Sequence, residues 1–499
     1  MKKTLFILFI SIFSAQLSAQ GHGPAKTEEN VFLNREFWGS KPTIKLIEEK
    51  INEGNDIAGK TSSNFDPVVY AILQQADNSV IKYIQSKEGN DANKLTHDGR
   101  TYLFWAAYKG NVEIMKYLVS KGAKMDITDD KGSTVLNFAA AAGEQNTAVY
   151  DFCIANGADL KKDLTPYGAN ALLLGIQKDK NFKLTDYFVS KGLSINSVDA
   201  KGNDAFNYVA KTGNIEALKA LREKGVNGND NAFMFATQGG RRAKLKPLEF
   251  YKFLESLGLN PNVIDSEGKT PLHNLASYAT DKEVFNYFIN KGVDVNLADQ
   301  EGNTAFLNAV NRNEVETIEF FLPKIKDINL KNKKGETALA IATENNSPKV
   351  VAFLLQNKAS IKTIDNEGNN LAYYLLKSYS PKSKTDFDAK LKLLTEEGLD
   401  ITAPQKNGNT LYHLALANND VKLLEVVKQY NIDVNAKNND GVAPIHVAAM
   451  RAKDDKALKY LLSIGAKKDA TTDFDESVYD LASENELLQE KNISIEFLK

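Results

Sequence analysis

A chain of 499 residues with 42% hydrophobic and 25% charged residues can bury a large core and falls outside the composition of disordered proteins. Its 62 Lys and Arg against 64 Asp and Glu leave a net charge of −2, so it lacks the basic excess of a dedicated nucleic-acid binder. One cysteine excludes an internal disulfide framework, and stability has to come from packing.

The chain opens MKKTLFILFISIFSAQLSAQ. A basic pair (Lys2, Lys3), an apolar run over 5–13 and small residues ending at Ala19 form the pattern of a secretory signal over residues 1–19. That run is short for a bilayer span. The small and polar residues 20–31 are expected to form a flexible leader. Helical patterning starts at Phe32. Phe37, Trp38, Ile44, Leu46, Ile47 and Ile51, closed by Gly54, read as a degenerate first unit. Pro67 at a helix start, with Val68, Val69, Ile72 and Leu73 and then Val80, Ile81, Tyr83 and Ile84, reads as a second, so residues 32–95 hold two degenerate units.

From residue 96 the pattern is periodic. Turn glycines recur at Gly99, Gly132, Gly168, Gly202, Gly268, Gly302, Gly335, Gly368, Gly408 and Gly441, at steps close to 33 residues or, once, twice that. Helix-ending glycines (Gly122, Gly157, Gly192, Gly225, Gly258, Gly292) keep the same period. The most complete copy is GKTPLHNLASYATDKEVFNYFINKGVDVNLAD, residues 268–299. Thr270 suits a helix N-cap and Pro271 the first helical position, where no N–H is needed. A helix over about 272–279 presents Leu272, Leu275 and Ala276. Asp281 can cap a second helix whose Val284, Phe285, Phe288 and Ile289 share a face, and Gly292 ends it in the left-handed region. Such a unit cannot cover its own flanks and needs neighbours.

Repeats of this kind fill 96–228 and 263–472. Between them, 229–262 is an irregular unit with helices expected near 232–238 and 247–257 and a basic insertion, GGRRAKLKP, at 239–247. A second insertion, SYSPKSKTDFDAK at 378–390, accounts for one interval of 40 residues; both insertions are expected to be surface loops. Residues 473–499, with Val478, Tyr479, Leu481 and Ala482 followed by Glu484, Glu486 and Glu490, fit a terminal capping unit.

TPLH at 270–273 with GVDVN at 292–296 closely resembles the ankyrin repeat. Weaker copies are TYLFWAA at 101–107, TVLNFAA at 134–140, TAFLNAV at 304–310, TALAIAT at 337–343, TLYHLAL at 410–416 and APIHVAA at 443–449. The resemblance covers about residues 32–499. It implies an all-α ankyrin-repeat solenoid of about 12–13 helix-turn-helix units with degenerate capping units at its ends. By the same resemblance, partner contacts fall on turn tips and just after the first helix. Those positions include His97, Arg100, Tyr108 and Lys109 in one unit and Lys269, Ser277 and Tyr278 in another. Arg312 joins them as an anchor of the residue type that interfaces favour. Arg241, Arg242, Lys244 and Lys246 make the insertion at 239–247 a basic loop able to meet an acidic partner.

Chemistry of other kinds finds little footing. Of the five histidines, His22 lies in the leader, His97 at a turn tip, and His273, His413 and His446 at the fourth position of TPLH-like motifs, where the ring bonds turn backbone. There is no HExxH, no paired-cysteine zinc spacing and no phosphate-binding glycine loop. DxxG segments such as 299–302 and 365–368 lack the rest of a calcium loop and read as Asp-stabilised turns. Cys153 falls on the core face of a second helix, and Tyr102, Phe104 and Trp105 on the core face of a first. The expectation is a non-enzymatic, cofactor-free, monomeric scaffold for another protein, with no nucleic-acid role and no membrane span once the signal is removed. The N-terminal pattern points to export, most simply to a bacterial periplasm. Two further readings are a helper of a periplasmic enzyme in oxidative-stress defence, by family analogy, and a secreted effector that binds a host protein.

Overall fold

The computed structural model describes residues 30–239, 244–417 and 421–499. The signal-like segment, leader residues 20–29 with His22, and the basic-loop residues Arg241 and Arg242 lie outside the described residues. The chain divides into two compact units, one ending at Gly202 and one running from Asn203 to Lys499. Among the described residues there are 28 α-helices, short 3-10 turns and a single isolated β-bridge, Thr471–Ser477, with no β-strand. Helix pairs joined by tight turns repeat along both units, which gives the expected all-α solenoid.

The 268–299 copy shows why these residues fold as they do. Thr270 is extended (φ −110°, ψ 168°), and Pro271 opens the helix Pro271–Ala276. The helix is shorter than the 272–279 expected from sequence. Tyr278 and Ala279 N–H both turn back to the Leu275 carbonyl (3.0 and 2.8 Å), redirecting the chain toward Asp281. The Asp281 carboxylate accepts from Glu283 and Val284 N–H (2.9 and 3.3 Å) and starts the helix Lys282–Asn290. Leu272, Leu275, Ala276, Val284, Phe285 and Phe288 are fully buried, whereas Ile289, on the flank of the same face, is half-buried.

Neighbouring copies within each unit are stitched together at two places. At the turn tips, Gln300 N–H donates to Glu267 O, Lys333 N–H to Glu301 O and Asn366 N–H to Lys334 O, each at 2.9 Å. Gly302 and Gly335 sit under these bonds at φ +79° and +82°, and a Cβ there would lie 2.6 and 2.5 Å from the next tip's backbone nitrogen. The recurring glycine therefore answers both conformation and close approach. At the corner between helices, Asn313 Nδ2 donates to Ala276 O and Ala279 O (2.9 and 2.6 Å), satisfying carbonyls left open as the preceding copy's first helix ends. Asn346 and Asn485 repeat the arrangement on Val310 and Asn313, and on Ala449 and Ala452.

The unit ending at Gly202 begins earlier than the leader boundary. Asn30 Nδ2 donates to Asp56 O (2.6 Å), Val31 N–H to Asn55 Oδ1 (2.9 Å), and residues Val31–Leu33 form a 3-10 turn with Phe32 buried. Asp66, a residue sequence reading passed over, is fully buried. Its carboxylate caps the helix Pro67–Leu73 through Val69 N–H (2.9 Å), accepts from the Tyr102 hydroxyl of the next copy (2.6 Å) and pairs with Lys94 Nζ (3.0 Å).

In the unit starting at Asn203, the irregular copy carries its helices where expected, at Asn231–Thr237 and Leu248–Ser256. The insertion at 378–390 is not a loop throughout. After a short turn it becomes the start of the thirteen-residue helix Lys384–Glu396. Phe387 is buried against Tyr379 (ring centroids 5.3 Å), and the aliphatic stem of buried Lys390 carries its ammonium to the Thr343 carbonyl (2.9 Å). Two apolar anchors in the inserted stretch are enough to extend the helix instead of looping out.

Candidate protein-binding surfaces

The three motif histidines are fully engaged. His273 Nδ1 accepts from Thr270 N–H (3.0 Å) while Nε2 reaches Asn303 O (3.1 Å). His413 and His446 make the same pair of bonds, to Thr410 and Val442 and to Ala443 and Ala470. Burial pushes each imidazole below its ordinary value. The folded rings stay neutral where the unfolded chain takes up protons, so their stabilising contribution is whole above about pH 6.5 and is lost as pH falls below it. The thermal midpoint should therefore drop between about pH 7.5 and 5.5, above the range in which carboxylates titrate. A flat midpoint over that window would contradict this account.

Cys153 is fully buried and its thiol is pushed up to about 12 by desolvation, which leaves it inert at neutral pH. Asp299 Oδ1 accepts from Glu301 and Asn303 N–H (2.9 and 2.8 Å), and Asp365 Oδ1 from Glu367 and Asn369 N–H (2.9 and 2.8 Å). These carboxylates fold turns, as the DxxG spacing implied.

In the unit ending at Gly202, aromatic rings line up across three copies. Phe65 stacks on Tyr70 (centroids 5.6 Å) and on His97 (4.3 Å), and meets Trp105 at 5.8 Å. Trp105 contacts Phe138 edge-on at 5.7 Å, and Phe138 stacks with Tyr108 at 5.6 Å. The Arg35 guanidinium lies 5.3 Å from the Tyr70 ring and 5.6 Å from Phe65; that of Arg100 is 4.2 Å from Phe138. Trp105 is buried, Phe65, His97 and Phe138 are half-buried, and Tyr108 is 39% exposed.

Expected contact residues separate here. Tyr108 reaches solvent, with Lys109 Nζ 5.9 Å from its ring. Arg100, expected as an exposed anchor, is instead 7% exposed. It pairs with Asp129 (Nη2–Oδ2 2.9 Å, Nε–Oδ2 3.0 Å) and Asp98 (3.1 Å), and so supports the rings from beneath. Burial would raise the Asp98 carboxyl, but the Lys131 hydrogen bond and the His97 and Arg100 charges hold it below its ordinary value. His97 does not stand alone at its tip, since Nδ1 also meets Ser63 O at 2.9 Å. Tyr102 and Phe104 are buried core, as their spacing suggested.

The other named residues gather in the unit starting at Asn203. A groove of about 770 Å³ is lined by Lys211, Lys244, Lys246, Lys269 and Arg312, with His273, Asn274, Asn303, Asn308 and Asn311 along it. Ser277 lines it too, its hydroxyl donating to Asn274 O (2.8 Å). Lys269 pairs with Glu267 (2.8 Å), and Asp299 and Glu301 are the groove's two carboxylates. Tyr278 is turned inward, its hydroxyl donating to Thr237 O (3.0 Å) and tying its helix to the irregular copy. A second hollow of about 310 Å³ shares Glu301, Asn303, Asn308 and Asn311 and adds Glu336 and Glu344. Sequence reading placed Lys246 in the basic loop but missed Lys211, which carries no motif; only the stacking of copies brings the two into one groove.

Comparison with known proteins agrees with this framework. A family model described as ankyrin repeats in three copies matches residues 68–163, 243–332, 272–365, 306–383 and 382–472, and a second ankyrin model, of many copies, matches 176–222. The chain is 26% identical over 195 residues to a putative palmitoyltransferase of Danio rerio, covering 38% of this chain and 29% of that protein. It is 25% identical over 135 residues to a putative ankyrin repeat protein of Fowlpox virus, covering 26% and 69%. To an intracellular phospholipase A2 of Caenorhabditis elegans it is 24% identical over 232 residues, covering 42% and 21%. The chain thus spans less than a third of two of these relatives. No helix among the described residues is long and apolar enough to cross a membrane. Helix pairs stitched at glycine tips, histidines bonding the next turn and family models matching most of the sequence lead to one assignment: the chain belongs to the ankyrin-repeat family.

Proposed function

We propose that this protein is a non-enzymatic scaffold that holds a partner protein, with the aromatic face around Tyr108 as a principal contact. The observation that carries the reading is the ring series Phe65, His97, Trp105, Phe138 and Tyr108. Its inner members are locked by packing and by Arg100, and its outermost member is exposed. Rigid aromatic anchors beside Arg are the residues that dominate interface energies, because they bury much surface at low entropic cost. The histidines that could serve a reaction are instead spent on turn backbone, which supports a binding role. The N-terminal pattern of residues 1–19 supports export, and with it a periplasmic partner.

Crosslinking and pulldown from the native envelope fraction, with wild-type and Tyr108→Ala chains, test both parts. Tyr108→Ala should weaken partner capture by about 2 kcal/mol, roughly thirtyfold, while leaving the helical signal intact. Equal capture by Tyr108→Ala and Phe138→Ala would remove this face from the interface. Recovery of the protein only from culture fluid would replace the periplasmic reading with a secreted one. The captured partner then separates a helper of a periplasmic enzyme from an effector acting on a host protein.

A further inference from the structure

The groove in the unit starting at Asn203 has an uneven charge that the scaffold reading leaves unexplained. Its first hollow gathers five cationic side chains, of which Lys269 is paired to Glu267, against two lining carboxylates, one of which, Asp299, is occupied by turn N–H groups. Lys211, Lys244 and Lys246 have no carboxylate in ion-pair range among the described residues. Desolvation in the groove lowers the Lys211 ammonium from its ordinary value, and desolvation with the nearby Lys211 charge lowers that of Lys246. Two ammonium groups held close without a counter-ion are a standing repulsion that an anionic ligand relieves. Further along, the sign turns. The second hollow carries Glu301, Glu336 and Glu344 against Lys334 and Lys377, the latter already paired to Glu344 at 2.7 Å. Between the two ends runs a row of amides, Asn274, Asn303, Asn308 and Asn311.

We infer that this groove takes an extended segment of a partner protein whose carboxylates cluster at one end, seated on Lys211, Lys244 and Lys246, with its amide backbone lying along the asparagine row. A polymer of uniform negative charge does not match, because it would run onto Glu301, Glu336 and Glu344. Nor does the first hollow offer, among the described residues, a Phe, Tyr or Trp face on which bases would stack, and His273 is only 2% exposed. Neighbouring copies about 8–10 Å apart and an extended chain advancing about 3.3 Å per residue give a segment of about ten to twelve residues over four copies. This contact rests on the scaffold reading and adds a second region to it, distinct from the Tyr108 face.

The test uses the purified full chain and a fluorescein-labelled peptide of about twelve residues with glutamates at one end and Ser, Gly and Asn elsewhere. Its Gln-for-Glu counterpart and an oligothymidylate of equal length serve as competitors. The acidic peptide should bind, and raising the salt should weaken it. Lys211→Gln with Lys246→Gln should weaken binding about tenfold, two ion pairs' worth, while Lys252→Gln, exposed on the helix Leu248–Ser256, leaves it unchanged. Equal binding of the Gln peptide, unchanged binding by the double variant, or tighter binding of the oligothymidylate would each overturn the inference. The Tyr108→Ala capture experiment is read separately, so failure here leaves that reading standing and its failure leaves this result interpretable.

Discussion

Replacing Asp66 with Ala should destabilise the unit ending at Gly202 by about 3–5 kcal/mol, the usual cost of removing one partner from a buried charged pair. The carboxylate is fully buried and serves three donors: Val69 N–H, the Tyr102 hydroxyl and Lys94 Nζ. Its loss leaves Lys94, which is only 12% exposed, without its counter-charge and with hydrogen bonds only to Ala58 O and Asn90 Oδ1 (2.9 Å each), and leaves the Tyr102 hydroxyl with Asn90 Oδ1 at 3.2 Å. Burial and the Asp66 charge hold the Tyr102 hydroxyl far above its ordinary value, so it stays a proton donor to this carboxylate at any working pH. Because copies in a repeat array couple mainly to their neighbours, the loss should be local. Urea unfolding followed by hydrogen exchange should show early opening of the helices Pro67–Leu73 and Tyr102–Tyr108. A change below about 1 kcal/mol would mean that the network is solvated and contributes little.

Phe288→Ala should cost the unit starting at Asn203 a similar amount, about 3–5 kcal/mol, for a different reason. The ring is fully buried and meets Phe233 at 6.0 Å, Tyr251 at 5.2 Å and Tyr287 at 5.1 Å, mostly edge-on. Truncation opens a cavity between the most regular copy and the irregular one. Ile289→Ala, one residue along the same helix, removes a half-buried side chain and should cost about 1 kcal/mol. Chemical denaturation of the two variants side by side gives the comparison. Equal losses would show that the packing between these copies does not carry the stability attributed to it.

Much of the fold was legible because the repeat writes the same local chemistry many times over. Thr270, Asp281 and Gly292 each act through bonds to residues a few positions away, and Pro271 through its fixed φ and missing N–H, so their meaning survives without tertiary context. The insertion at 378–390 was misread for the opposite reason. Its Ser, Pro and Lys content looks like a loop, but Phe387 folds back on Tyr379 and Lys390 finds its partner at Thr343, far away in sequence. Arg100 was misplaced on the surface for the same kind of reason: its partner Asp129 belongs to the next copy.

The sequence by itself determined the repeat, its period, the caps and turns of each copy, the role of the motif histidines and the buried place of Cys153. Most of these depend on contacts within a copy or on one residue type's conformational preference; the histidines also reach the next copy's backbone, as His273 Nε2 does to Asn303 O at 3.1 Å. Only the tertiary structure decided which side chains meet across copies. It placed Asp66 under Tyr102, drew Phe65, His97, Trp105, Phe138 and Tyr108 into one series, turned Tyr278 inward, and set Lys211 and Lys246 along one groove with Arg312. Such meetings are fixed by stacking, which sets neighbours some 33 residues apart side by side and leaves no local signal of which surface positions converge.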